Sequence, residues 1–206
     1  MNDTAHFLES GLREKLIEHL FVGDLLRCLW RRGSRDIEVL RAEVDRAGYD
    51  LVLESNGVLR HVQLKASYRS AKTSEVGINI NLAGKPSGCV IWIWFDPDSM
   101  ELGPFLWFGG QPGEPLPPLG DRVGKHTKGD STGLKAARPN IRLLRKGRFS
   151  ALSTMNEVAQ ALFGVASGAA QVPDDRRPWR PSTSVRAGTL PLPGKSSGIP
   201  RRARSR

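Results

Sequence analysis

Residues 48–65 read GYDLVLESNGVLRHVQLK, and their pattern decides the fold. Two runs rich in Leu and Val flank Asn56-Gly57. Asn-Gly between such runs is the strongest short-range signal for a two-residue hairpin turn, because both turn residues must adopt positive φ. That turn pairs Ser55 with Val58 and, counted back along both strands, Asp50 with Gln63. Side chains alternate along a strand and paired residues share a face. Asp50, Val52, Glu54, Leu59, His61, Gln63 and Lys65 therefore lie on one side, with Leu51, Leu53, Val62 and Leu64 on the other. The second side is the expected core, and the first is too polar to be one.

Upstream, Leu12, Leu16 and Leu20, then Ile17, Phe21 and Leu25, recur at helical spacing, so an amphipathic helix is expected over Leu8–Arg32, ending at Gly33. Ile37–Val44 reads as a strand. Downstream, VGININLA within 66–87 is strand-like, with a short helix as the alternative. GCVIWIWF, Gly88–Phe95, is uniformly apolar, as a central strand covered on both faces should be. DPDS turns the chain and LGPFLWFGG returns antiparallel to it. The Pro/Gly loop QPGEPLPPLG separates this core, about 8–110, from a basic segment over 121–148, and a closing helix is expected over Phe149–Phe163. The expected class is α/β, a mixed central sheet flanked by helices within a domain over 1–166. From 167 to 206 come six prolines, eight arginines and only five Val, Leu and Ile residues, a composition expected of a disordered basic tail.

The 206 residues, 39% hydrophobic, suffice for one well-cored domain. Cys89–Phe95, the longest apolar run, is far too short for a bilayer, and the N-terminus lacks the basic start and apolar stretch of a secretion signal. A cytoplasmic protein with no membrane partner is expected. Cys28 and Cys89, each among apolar residues, read as reduced thiols. The net charge of +10 is uneven: −3 over 1–120, +7 over 121–148, −1 over 149–166 and +7 over 167–206. Localised positive charge without an amphipathic basic helix suggests nucleic acid; a solubilising bias is the plainer reading.

Opposed side chains on a hairpin have Cβ atoms roughly 5 Å apart, so the Asp50 carboxylate and the Gln63 amide oxygen can meet at one hard cation. Lys65 stands one step along the same face. Oxygen ligands around a cation, with an ammonium alongside, can grip a phosphodiester and activate a water. Against this, a polar strand face is commonly just solvated, and an inward lysine also protects a sheet edge.

A helix, a strand, an aspartate opening a hairpin and then "VQLK" in the return strand together resemble the PD-(D/E)xK nuclease superfamily. The Gln form is similar to the Mrr-type branch, and the helix-first layout to Holliday-junction-resolvase-like members. The match covers Glu18–Phe95, with Tyr49 in place of the proline that names the motif. The resemblance implies a restriction-endonuclease-like fold and a Mg²⁺- or Mn²⁺-dependent phosphodiesterase, acting on DNA in a restriction, defence or repair setting. It also implies that Asp50 and Gln63 ligate the metal, that Lys65 positions or activates the water, and that Glu18 is a further ligand, with Glu14 as its competitor. The remaining expected partner is a second copy of the chain, as a homodimer. Two other classes stay open: a non-catalytic nucleic-acid-binding module on this fold, and an interaction protein using its tail.

Lys125, Lys128, Lys135, Arg138, Arg142 and Arg145, among Gly, Ser and Thr, could follow a phosphate backbone or form a merely solvated basic loop. GDRVGKHT is one residue short of a phosphate loop and follows no strand, which excludes an NTPase reading. His61 shares the Gln63 face, where a structural role is the simpler one.

Overall fold

The computed structural model describes residues 10–164 apart from 45, 127–132 and 134, so the expected tail lies outside the described residues. Helix α1, Ser10–Arg31, buries Ile17, Phe21, Val22, Leu25 and Leu29, a stripe spaced by three and four residues. Its end is set by Gly33, φ +77°, which lets Ser34 N donate to Leu29 O at 3.0 Å; only glycine takes that left-handed conformation at no steric cost.

Three antiparallel strands follow: β1 (Ile37–Arg41), β2 (Leu51–Ser55) and β3 (Val58–Tyr68). Asn56 and Gly57 both have positive φ, 51° and 74°, and the hairpin pairs Ser55 with Val58 and Leu51 with Val62, the register expected of an Asn-Gly turn. The chain then forms β4 (Glu75–Asn79) and a 3₁₀ turn at Ile80–Gly84, so the ambiguous stretch contains both a strand and a short helical element. Strand β5 (Gly88–Phe95) lies parallel to β3, and β6 (Leu102–Gly109) returns antiparallel to it. Asp96 fixes the intervening turn by accepting from the backbone N–H groups of Asp98 and Ser99 at 3.0 and 2.8 Å.

The basic segment supplies β7 (Val123–Lys125) and β8 (Ala137–Arg145), which join β4 in a three-stranded sheet of order β4-β8-β7. The closing segment departs from expectation. Ser150–Leu152 is a strand, β9, paired with Phe105–Trp107 at the edge of the main sheet, and helix α2 covers only Met155–Phe163. The reason is a capping box: Thr154 Oγ1 accepts from Glu157 N at 3.2 Å, while Glu157 Oε2 accepts from Ser153 N at 2.8 Å. The main sheet is thus six-stranded and mixed, β1-β2-β3-β5-β6-β9.

Strand β5 is buried throughout and feeds cores on both faces. Cys89, Ile91, Ile93 and Phe95 pack with Leu51, Leu53 and Val62 against both helices, including Phe21 and Leu162. Val90 packs with Ile78, Leu82 and Leu144 of the β4 region and β8, and Trp92 with Trp94 and Leu106. The helices therefore share one side of the main sheet, and the smaller sheet covers the other. Among the described residues, no helix is long and apolar enough to cross a membrane.

Candidate functional site

Strand β2 begins at Leu51, opposite Val62, whereas β3 continues to Tyr68 beside β5 alone. A notch opens where β2 is missing. Leu64 N–H lies on that edge and is taken by Asp50 Oδ2 at 2.6 Å. The Asp50 backbone is held on both sides, its N donating to Val62 O at 2.9 Å and its O accepting from Ala42 N at 3.0 Å. The turn that delivers it needs Gly48: φ is +79°, and a Cβ there would come within 2.8 Å of Asn79 Cβ and 3.2 Å of Leu82 N.

The N-terminal half of α1 lies over the notch and lines a cleft of about 480 Å³ that is open to solvent. Asp50, Glu18, Glu14 and Lys65 all line it, together with Arg13, Lys15 and Tyr68. Glu18 is only 5% exposed. Its Oε2 receives the Lys15 ammonium and its Oε1 the Arg41 Nε, each at 2.8 Å. Burial, the largest single influence, pushes the Glu18 pKa up, but the hydrogen bonds and charges of Lys15 and Arg41 together outweigh it and hold the carboxyl below its ordinary 4.5. Glu18 is thus a buried, ionised carboxylate. Arg13 Nη1 donates to Tyr68 Oη at 2.8 Å across the mouth, tying α1 to β3.

The expected residues are therefore brought together in part. Asp50, Lys65 and Glu18 share one cavity, and so does Glu14. Gln63 does not line it: the side chain is buried, 4% exposed, and its Oε1 accepts a long bond, 3.4 Å, from Asn79 N. The face carrying Gln63 is roofed by the β4 region rather than open. His61 is held structurally, its Nδ1 2.7 Å from Pro86 O and its ring edge-to-face with Tyr49.

Among the expected phosphate-contacting residues, Lys125, Lys135, Arg138 and Arg145 are exposed on or beside β7 and β8. Arg142 is half-buried and donates from Nη1 to Pro139 O at 2.6 Å. Lys128 lies outside the described residues. Sequence reading missed Arg13, Lys15, Arg41 and Tyr68. The one available signal was Lys15 three residues before Glu18, a spacing that puts both on one helix face.

Among the described residues, no group of three or more His, Cys, Asp and Glu side chains is placed to hold a metal ion. Mg²⁺ does not require one: it is commonly held by one or two carboxylates, with waters and substrate phosphate filling the other positions. Asp50 and Glu18, two carboxylates in one solvent-reached cavity, fit that need. Comparison of the chain with family models, curated proteins and solved structures finds no match.

Proposed function

We propose that the chain is a metal-dependent phosphodiesterase of the PD-(D/E)xK kind, acting on DNA, with the cavity beneath α1 as its active site. The observation that carries this reading is that Asp50, Glu18 and Lys65, from a turn, a helix and a strand, line one cavity where β3 outruns β2. A divalent ion bound there would act as Lewis acid on the scissile phosphate and lower the pKa of a water. Asp50 and Glu18 would hold it. Lys65 carries the charge that meets the phosphate or orients the water, and Arg13 and Lys15 make the mouth favourable to a polyanion. The order helix, antiparallel meander, parallel strand is the one the family resemblance leads one to expect, with a strand and 3₁₀ turn replacing the crossover helix.

The test is cleavage of plasmid and single-stranded DNA in Mg²⁺, in Mn²⁺ and in chelator, with Asp50→Asn and Lys65→Ala alongside. Metal-dependent cleavage that falls by roughly 10²-fold or more in both variants, at nearly unchanged DNA affinity, supports the proposal. Two observations favour a non-catalytic DNA-binding module instead: Gln63 is engaged outside the cavity, and both Glu18 oxygens already have cationic partners. Salt-sensitive DNA binding without cleavage in either metal would establish that second reading.

A further inference from the structure

We propose that Lys15 is the cavity's built-in cation, occupying Glu18 until a divalent ion displaces it, while Arg41 stays in place and aims the carboxylate. This rests on the metal-dependent reading of the cavity. The two cations on Glu18 are not equivalent. Lys15 reaches Oε2 at 2.8 Å from the solvent side, with a side chain 65% exposed. It projects into the same cavity as Asp50.

Arg41 is 44% exposed and takes the other oxygen, Oε1, at 2.8 Å; its Nη2 also lies 3.3 Å from His19 Nδ1. A lysine on a flexible stem can return to water without moving backbone, whereas Arg41 is anchored in β1, next to the segment that holds Asp50. Glu18 thus keeps an orienting partner when Oε2 is vacated. The released ammonium remains at the cavity mouth, where a substrate phosphate arrives.

Two measurements on the full chain test this without DNA. The first is calorimetric titration with Mn²⁺ of the parent, Lys15→Met, Lys15→Gln and Arg41→Met. Both Lys15 variants should bind about three- to fivefold more tightly, the worth of one exposed ion pair. Arg41→Met removes the same charge and should not tighten binding. The second follows Lys15 labelling by an amine-acylating reagent, read by mass spectrometry, and expects a rate about threefold faster with Mg²⁺. Unchanged or weaker Mn²⁺ binding in the Lys15 variants, equal tightening by Arg41→Met, or labelling indifferent to Mg²⁺ overturns the role of Lys15 and leaves the metal reading standing. Absence of Mn²⁺ uptake by the parent and both Lys15 variants overturns both.

Discussion

Arg60 stands on the face of β3 that also carries Val62, yet it is fully buried. Its Nε donates to Leu162 O at 2.7 Å, and Nη2 donates to Ala161 O at 3.0 Å and Gly110 O at 3.2 Å. At Leu162 and Ala161, the cation satisfies carbonyls that the end of α2 leaves unpaired and meets the negative end of the helix dipole. Desolvation pulls the Arg60 pKa down, and its Nη1 is buried with no hydrogen-bond partner among the described residues, so the arrangement carries a real cost. Removing the guanidinium leaves three carbonyls unpaired. Arg60→Ala should therefore lose roughly 3–5 kcal/mol in urea unfolding, and a loss under about 1 kcal/mol would show those carbonyls to be solvated instead. Cys89 gives a second residue-scale expectation. Burial pushes its thiol to about 12, with the Arg60 charge pulling only partly back, whereas Cys28 is half-buried and raised less strongly. Since the thiolate is the reactive form, a disulfide reagent between pH 7 and 9 should modify Cys28 in the native protein, faster as pH rises, and reach Cys89 only after denaturation.

At the scale of elements, α2 is short, nine residues, and depends on its cap and its packing. Thr154→Ala should cost about 1 kcal/mol and lower the melting temperature by about 2–4 °C, with Glu157→Ala acting in the same direction because it supplies the other half of the box. The same cap explains what sequence reading could and could not recover. Apolar spacing alone ran a helix back to Phe149, but Thr154-x-x-Glu157 was available as a start signal and places the boundary correctly. The hairpin register and the β5 and β6 pairing were legible because Asn-Gly, unbroken apolar runs and the Asp96 turn are local signals. The smaller sheet was not, since β4 and β8 pair across 62 to 70 residues of sequence, from Asn79–Ile141 to Glu75–Arg145, and neither alone alternates clearly. The cavity divides in the same way. The hairpin register brings Asp50 beside β3, but strand parity put Asp50 and Lys65 with Gln63 on the side away from α1, so their place in the cavity comes from the end of β2, and the Glu18–Arg41 contact exists only because α1 crosses the sheet. Parity set Gln63 on the face of Lys65, but not that the 3₁₀ turn and Asn79 would roof that face. Nor does alternation explain an arginine among Leu51, Leu53 and Val62; Arg60 becomes intelligible only once α2 ends above it.

For the whole molecule the unequal charge is the property with a measurable consequence. The main sheet and its helices come from segments of slightly negative balance, while +5 of the +7 over 121–148 falls on β7, β8 and the residues between them. Lys125, Lys135, Arg138 and Arg145 are exposed there, and Arg142 spends its guanidinium on backbone carbonyls at 2.6 and 3.4 Å. If this surface follows a phosphate backbone, each exposed cation displaces about one counterion, and the logarithm of affinity falls with the logarithm of salt by about 0.9 per contact. Replacing the four exposed residues with Gln should weaken duplex DNA binding for every sequence tried and reduce that slope by up to about 3–4, as read by fluorescence anisotropy from 50 to 300 mM salt. Arg142→Gln should change it far less. Lys65→Ala should leave it nearly intact, because one cation inside a cavity contributes little to a long backbone track. A fourfold variant with the parent's slope would place the DNA elsewhere, leaving the +7 over 167–206 as the remaining concentrated source of positive charge. Loss of binding without loss of slope would instead mean that these side chains hold the small sheet together rather than meet phosphate.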